Sequence, residues 1–164
     1  MIHVGFTGTR HGMTPQQFAA FDAVLECLGG FGRLTLHHGD CVGGDEEAHR
    51  AARRRRARVE VHPGRGMTSS HLVPDLRARC DGDVIHPVLT FFHRNRRIVD
   101  LSDVVVAAPR EAARQHRGGT WYTVGYAEKR GKTLAVLSPR PDGVVIELSG
   151  DWTRYVEKLK EVIK

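Results

Sequence analysis

Three glycine-containing turns carry polar side chains beside backbone that could approach a ligand closely. They are Gly8-Thr9-Arg10, residues 39–45 and Gly118-Gly119-Thr120. Glycine leaves room for close approach, and the free N–H groups and the dipole at the start of a helix favour an anion such as phosphate. Any one of these turns also fits an ordinary strand-to-helix connection, but together they predict a phosphate-binding cradle.

Acidic and basic side chains beside these turns supply further candidates. Asp40 and Asp45 are suited to accept hydrogen bonds from ribose hydroxyls, or to act as a general base or nucleophile. Asp45 also stands where the N-cap of a helix is expected. Arginine binds phosphate through two donors at once, so Arg94 to Arg97 are candidates for a phosphate contact, with a solvated helix surface as the alternative.

Aromatic and metal-ligating residue types also occur near the turns. Trp121 and Tyr122 are suited to stack on a base or to pack into a helix interface. His37 and His38 are adjacent strand residues, so their side chains point to opposite faces and cannot readily share one ion with Cys41. We therefore predict no metal site and no bound cofactor. The sequence also contains neither GxGxxG nor GxxxxGK[ST], which argues against the standard dinucleotide-binding and P-loop classes.

Alternating apolar runs and turn residues define the elements that must position these groups. The first helix has Thr14 as its N-cap and Pro15 as its first residue, and it ends at Gly29-Gly30. Residues 64–87 show no clear pattern beyond a short helix over Leu72–Arg79. An edge strand at 144–148 and an amphipathic helix at 151–163 follow later. The remaining strands are predicted at 2–7, 33–38, 58–62, 103–108 and 133–137, and the helices at 15–28, 45–56, 90–101 and 118–131.

Strands that are separated by helices pair in parallel through right-handed crossovers. The predicted fold class is therefore α/β, a Rossmann-like parallel sheet of about five strands with helices on both faces. With the usual strand order 3-2-1-4-5, the topological switch point lies between the first strand and the strand at 103–108. A ligand is then expected at residues 8–12 and 109–120.

Length, composition and charge bound the function classes. The chain has 164 residues, of which 40% are hydrophobic and 27% charged, and we expect one globular domain over residues 1–164. The net charge is +6, and much of the excess lies between Arg50 and Arg58. A run such as Arg53–Arg56 either binds nucleic acid through counterion release or is a solvated helix end.

The sequence carries no signal for a membrane or secreted protein. No stretch approaches the roughly 20 apolar residues of a membrane span, and the first residues enter a strand-like run rather than a signal peptide. The cysteines, Cys27, Cys41 and Cys80, are too few and too scattered for a disulfide framework. We expect a cytoplasmic protein with free thiols and no membrane partner.

An ordered set of motifs, spanning about residues 2 to 138, resembles the SLOG superfamily, particularly its small bacterial and phage members. The motifs are residues 5–10 and 38–45, His62-Pro63, Arg94-Asn95-Arg96, Ala108-Pro109 and Gly118-Gly119-Thr120. The resemblance implies a Rossmann-like domain that binds nucleotides or nucleotide-derived ligands, often in a homo-oligomer. The candidate ligand-binding residues are Gly8, Thr9, Arg10, Gly39, Asp40, Cys41, Gly43, Asp45, His62, Arg94, Asn95, Pro109, Gly118, Gly119 and Thr120.

The superfamily includes the Lonely-guy phosphoribohydrolases, which cleave the N-glycosidic bond of nucleoside monophosphates with an arginine and a glutamate. Arg94 falls at a position similar to that arginine. When Gly119-Thr120 is aligned with the family's glycine-threonine pair, Thr123 stands where the glutamate would be. The candidate catalytic residues of an enzyme are thus Arg94 with one of the carboxylates Asp40, Asp45 and Glu128.

These observations leave three hypotheses about function. The first is a nucleotide-binding module, such as a sensor or a regulatory protein. The second is an N-glycosidase or ribosyl transferase that acts on a nucleotide. The third is the binding of single-stranded nucleic acid through the arginine run, similar to what the DNA-processing protein A of this superfamily does.

Overall fold

A mostly parallel sheet of seven strands forms the centre of the computed structural model, which describes residues 1–66 and 76–163. The strand order is β5-β3-β2-β1-β7-β8-β9, and only β9 runs antiparallel to its neighbour, β8. A separate pair, β4 and β6, lies beside it. The strands are β1 (Ile2–Gly8), β2 (Leu34–His38), β3 (Arg58–Val61), β4 (Gly64–Arg65), β5 (Val84–Ile85), β6 (Leu89–Thr90), β7 (Val104–Ala108), β8 (Thr133–Arg140) and β9 (Gly143–Ser149).

Five described helices cover the two faces of this sheet. Valines and leucines of alternating strand positions supply the apolar surface on both sides, which is the requirement for a sheet buried between two helical layers. Val4, Phe6 and Leu36 face α1, α2 and α5, whereas Val105 and Leu134 face α3 and α4. The helices are α1 (Pro15–Gly29), α2 (Gly44–Arg54), α3 (Phe91–Leu101), α4 (Gly119–Lys129) and α5 (Val156–Val162).

The predicted fold class is confirmed, including the order of the five long parallel strands. β3, β2, β1, β7 and β8 lie side by side in the expected order 3-2-1-4-5, and β9 is the predicted edge strand. The sheet has one further parallel strand, β5, which the sequence did not reveal because it is only two residues long. Residues 76–79 of the helix predicted at Leu72–Arg79 are not helical, and the rest of that segment lies outside the described residues.

Helix α1 begins as the sequence predicts. Thr14 Oγ1 accepts a hydrogen bond from Gln17 N at 3.1 Å, and Gln17 Oε1 accepts one from Thr14 N at 3.0 Å. This reciprocal capping box satisfies two backbone donors that would otherwise lack partners, and Pro15 supplies a preset φ at the first helical position.

Two predicted helix starts are wrong. Helix α2 begins at Gly44 with Gly43 as its N-cap, so Asp45 lies within the first turn and is not the cap. Its carboxylate instead bonds to the preceding loop. The last helix, predicted at 151–163, begins only at Val156, because Trp152 is buried and its indole N–H donates to Leu134 O at 3.0 Å, which fixes the chain before the helix.

No helix in residues 1–66 and 76–163 has the length and hydrophobicity needed to cross a bilayer.

Candidate functional site

The turns that follow β1 and β2 contact each other through their backbones. Gly44 N donates to Thr9 O at 2.9 Å, and a Cβ atom at Gly44 would lie 3.2 Å from the Cα atom of Gly8. Gly43 has φ 83, and a Cβ atom there would collide with the carbonyl of Arg10. Glycine is therefore required at Gly43 for the two turns to come this close.

The turn that follows β7 joins the same edge of the sheet. Thr9 N donates to Ala108 O at 3.1 Å, and the buried Gln17 Nε2 donates to Pro109 O at 2.8 Å. Further along, Asn95 Nδ2 lies 3.9 Å from the position that a Cβ atom of Gly119 would take. The carboxyl ends of three adjacent parallel strands thus bring the turns after β1, β2 and β7 together at the switch point.

Asp45 holds the loop after β2 in its shape. Its Oδ2 accepts hydrogen bonds from Gly39 N at 3.0 Å and from Cys41 N at 3.1 Å. Burial raises the pKa of the Asp45 carboxyl, while the nearby Arg94 and these backbone donors act in the opposite direction. The structure thus places Asp45 at the predicted edge, with its carboxylate engaged by the protein's own backbone.

Asp40 ties the same loop to the segment that precedes β5. It is fully buried with φ 58, and its carboxylate accepts hydrogen bonds from Arg77 Nε at 2.9 Å and from Cys80 N at 2.8 Å. A buried carboxylate that is held by a guanidinium and a backbone N–H is suited to fix a loop conformation. Like Asp45, Asp40 supports the loop from inside.

Arg94 is buried and holds two of the loops together. Its Nη1 donates to the carbonyl oxygens of Gly39 and of His62, the latter at 3.2 Å, and its Nη2 lies 3.6 Å from Cys41 Sγ. Its Nε is buried and has no hydrogen-bond partner among the described residues. Arg94 therefore reaches the predicted edge from α3, with Nη1 bonded to backbone carbonyl oxygens.

The glycine turn at the start of α4 is open. Gly118 has φ 110, and among the described residues no heavy atom lies within 4 Å of where its Cβ atom would be. Thr123, one turn into the helix, is buried and donates from Oγ1 to Gly119 O at 2.8 Å. The open glycines leave space above the first turn of α4, where free N–H groups favour an anion.

Glu128 lies at the other end of α4. Its two carboxylate oxygens accept hydrogen bonds from Arg114, at 2.9 Å and 2.8 Å. It lies nine residues beyond Gly119, which corresponds to about 13 Å along a helix. The structure therefore does not bring Glu128 together with the other candidate residues.

The other basic residues fall into two groups: some are exposed at the sheet edge, and some pair with carboxylates. Arg10, Arg110 and Arg117 are exposed next to the converging turns, and Arg110 Nη1 lies 3.0 Å from His11 Nε2. In the arginine run at 50–58, by contrast, several guanidinium groups pair with carboxylates. Arg53 bonds to Asp83 at 2.7 Å, Arg55 bonds to Asp22 at 2.7 Å and to Glu26 at 3.2 Å, and Arg50 and Arg58 pair with Glu46 and Glu60.

The aromatic pair at the start of α4 packs within the protein. Trp121 is buried, and its Nε1 lies 3.3 Å from Glu111 Oε2. Tyr122 accepts a hydrogen bond from Arg96 Nε at 2.6 Å and contacts the ring of Phe92. Both side chains thus follow the predicted alternative of packing into a helix interface.

A cluster of histidines beside the predicted edge was missed. His3, His37, His62 and His86 come from separate strands and loops, so no short spacing in the sequence reveals them. His37 lies within hydrogen-bond distance of both His3 and His62, and the rings of His62 and His86 stack at 4.1 Å. Burial lowers the pKa of His37 to about 4 and that of His62 to about 2. The side chain of His62, a predicted ligand contact, belongs to this cluster.

The fold is shared with proteins of known structure. The molybdenum cofactor binding protein of the phototrophic bacterium Rippkaea orientalis is 24% identical, with a TM-score of 0.57 over 85% of this chain and 77% of that one. DNA processing protein A of Streptococcus pneumoniae is 20% identical, with a TM-score of 0.61 over 99% of this chain and 56% of that one. The corresponding Helicobacter pylori protein, described with a single-stranded DNA binding mode, is 20% identical, with a TM-score of 0.57 over 99% and 78%.

At sequence identities of 20% to 24%, the structural similarity shows a shared fold. The Rossmann-like fold that the sequence motifs imply is therefore confirmed. No protein-family model matches the chain, and no curated protein matches it in sequence.

Proposed function

We propose that this chain, with its Rossmann-like fold and SLOG-like motifs, binds a nucleotide or a nucleotide-derived ligand at the carboxyl edge of its sheet. It acts as a single-domain sensor or regulatory module of the cytoplasm. The observation that carries the proposal is the convergence of the turns after β1, β2 and β7. Gly44 N bonds to Thr9 O, and Thr9 N bonds to Ala108 O. Ligands of open α/β sheets bind in the crevice formed by such turns.

The phosphate is proposed to lie over the first turn of α4. Gly118 and Gly119 leave space there, and the N–H groups at the start of α4 point toward it. The exposed guanidinium groups of Arg10, Arg110 and Arg117 add positive charge to the same edge. Arg94, Asp40 and Asp45 act on the ligand indirectly, because they fix the loop after β2.

Substitution of Gly119 tests this placement. Among the described residues, a Cβ atom at Gly119 meets only Asn95 Nδ2, at 3.9 Å, so Gly119→Val is expected to fold. The added methyl groups would occupy the space proposed for phosphate, and the affinity should fall about 10- to 100-fold, which corresponds to loss of hydrogen bonds to a charged group. Calorimetric titration with nucleoside mono-, di- and triphosphates measures the effect.

Gly143→Val serves as the matched control. Gly143 is the first residue of β9, and its added Cβ atom meets no described heavy atom within 4 Å. The control should bind like the unaltered protein. Equal affinities of the Gly119→Val protein and the unaltered one would contradict the proposed cleft.

The alternative of an N-glycosidase has weaker geometric support. A hydrolase of this kind needs a carboxylate that reaches the reacting centre. The carboxylates of Asp40 and Asp45 bond to the protein itself, and Thr123 occupies the position of the family's glutamate. Incubation with nucleoside monophosphates and NAD, followed by chromatography for free base, tests turnover, and release of base would favour the enzyme.

Binding of single-stranded nucleic acid is the other alternative, and its hallmark is salt dependence. Pairing of Arg53 and Arg55 with carboxylates reduces the positive charge that the run offers to phosphates. Titration of an oligothymidylate between about 50 mM and 200 mM salt would show a steep loss of affinity if many phosphates are contacted. A homo-oligomer is also proposed, from the resemblance, and light scattering of the purified protein measures its size.

A further inference from the structure

Two imidazoles and a carboxylate meet on the face of the sheet that α3 and α4 cover. His37 lies on β2, Glu60 lies on the neighbouring strand β3, and His62 follows β3 directly. β2 and β3 pair in parallel with His37 opposite Glu60, so the three side chains project from one small area. His37 and His62 are each 1% exposed.

The spacing of their donor atoms fits a small divalent ion. His37 Nδ1 lies 3.0 Å from His62 Nε2 and 3.8 Å from Glu60 Oε2, and one donor atom of each residue lies within 4.8 Å of the others. A tetrahedral zinc ion with nitrogen and oxygen ligands at about 2.0–2.1 Å requires donor atoms about 3.3 Å apart. The separations of 3.0 Å and 3.8 Å lie within about 0.5 Å of that value.

Neighbouring side chains form hydrogen bonds that orient these donor atoms. Metal-bound histidines commonly donate their other ring N–H to a nearby acceptor, and His37 Nε2 lies 2.9 Å from His3 Nδ1. Arg58 bonds to Glu60 Oε1 at 3.3 Å, which leaves Oε2 directed at the histidines. Oε2 also lies 2.9 Å from His86 Nε2, which helps to hold the carboxylate in place.

His62 Nδ1 is buried and has no hydrogen-bond partner among the described residues. A metal ion on His62 Nε2 leaves that nitrogen as it is, so the case for an ion rests on the spacing of the donor atoms.

A second cluster, formed by His38, His49 and Cys80, lies on the opposite face of the sheet. Asp40 N donates to His38 Nδ1 at 3.1 Å, which places the His38 proton on Nε2, 3.1 Å from His49 Nδ1. His49 Nε2 is then the donor to Asp81 Oδ1 at 3.1 Å. Every imidazole nitrogen of His38 and His49 has a partner, so hydrogen bonding accounts for the second cluster without an ion.

We propose that His37, Glu60 and His62 bind a divalent transition-metal ion of the Zn²⁺ class. Imidazole and carboxylate are ligands that such ions accept in tetrahedral sites with three protein ligands and one further position. The site lies apart from the turns proposed to bind the nucleotide. It is linked to them through His62, whose carbonyl oxygen accepts a hydrogen bond from Arg94.

Cobalt substitution tests the proposal. Co²⁺ in a tetrahedral site of nitrogen and oxygen ligands gives visible absorption without the near-ultraviolet charge-transfer band of a thiolate ligand. Titration of the chelator-treated protein should give such a spectrum with one ion bound per chain, and Zn²⁺ should abolish it. Absence of tetrahedral Co²⁺ absorption overturns the proposal, and a thiolate band overturns it by placing the ion at Cys80.

Variants identify the ligands. Glu60→Gln keeps the size of the side chain and removes its charge, so Zn²⁺ affinity in competition with a chromophoric chelator should fall at least about 10-fold. Cys80→Ser is the matched control from the second cluster and should bind as the unaltered protein does. Circular dichroism verifies that both variants fold. An unchanged affinity of the Glu60→Gln protein would also overturn the proposal.

Discussion

At the scale of single residues, the polar groups that the sequence marks for a ligand mostly bind the protein itself. Asp45 accepts from two backbone N–H groups, Asp40 from a guanidinium and an N–H, and Arg94 donates to two carbonyl oxygens. These bonds shape the loop after β2. The groups that remain for a ligand are the open backbone at Gly118 and Gly119 and the exposed arginines.

Gly43 is the residue on which this loop depends most. Its φ of 83 is disfavoured for a side chain, and a Cβ atom would collide with the carbonyl of Arg10. We expect Gly43→Ala to lower the free energy of unfolding by about 1–3 kcal/mol, the cost of strained backbone. Urea unfolding followed by tryptophan fluorescence measures this, and Gly143→Ala, with open space around it, should change stability far less. Similar losses in both variants would refute the predicted contact.

At the scale of elements, one side chain of α1 fixes the helix to two strands. Gln17 is buried, and its Nε2 donates to Pro109 O and to Leu137 O, both at 2.8 Å. The same residue forms the capping box with Thr14. Helix α1 is thus held against the carboxyl ends of β7 and β8, beside the proposed cleft.

Replacing the Gln17 amide with an apolar group tests how much its hydrogen bonds add to stability beyond the packing of the side chain. Gln17→Met keeps the length of the side chain but leaves two buried carbonyl oxygens and the N-cap without their partner, so we expect a loss of about 1–3 kcal/mol. Gln16→Met, at an exposed neighbouring position, should stay within about 0.5 kcal/mol of the unaltered protein. Thermal unfolding of the pair measures the difference. If both variants melt together, the bridging role is wrong.

At the scale of the whole molecule, buried histidines on both faces of the sheet couple folding to pH. Burial lowers the pKa of His37 to about 4, of His38 to about 3 and of His62 to about 2. The unfolded chain binds these protons near the ordinary value of about 6.5. The stabilisation is therefore complete above pH 6.5 and is lost progressively as pH falls toward the folded pKa values.

Stability should consequently drop between pH 6.5 and pH 5. Each of these histidines contributes up to about 1.4 kcal/mol per pH unit, so the combined slope approaches about 4 kcal/mol per pH unit. Urea unfolding in the presence of a chelator, at a series of pH values, measures the slope. His116→Gln, at an exposed position, should leave it unchanged. A pH-independent stability over this interval would show that these imidazoles are not buried in neutral form.

The sequence by itself determined most of the elements, the order of the five long parallel strands and the edge where their turns meet, but not the short strand β5 or the starts of α2 and α5. Hydrophobic periodicity and capping residues act over a few neighbours, and right-handed crossovers leave few topologies, so Thr14 and Pro15 at the start of α1 and the order 3-2-1-4-5 were predictable. Only the tertiary structure decided what each polar side chain bonds to. Arg94 reaches Gly39 across 55 residues, and His37 meets His62 just beyond the neighbouring strand β3. Such partners depend on strand register and side-chain direction, which no local pattern encodes.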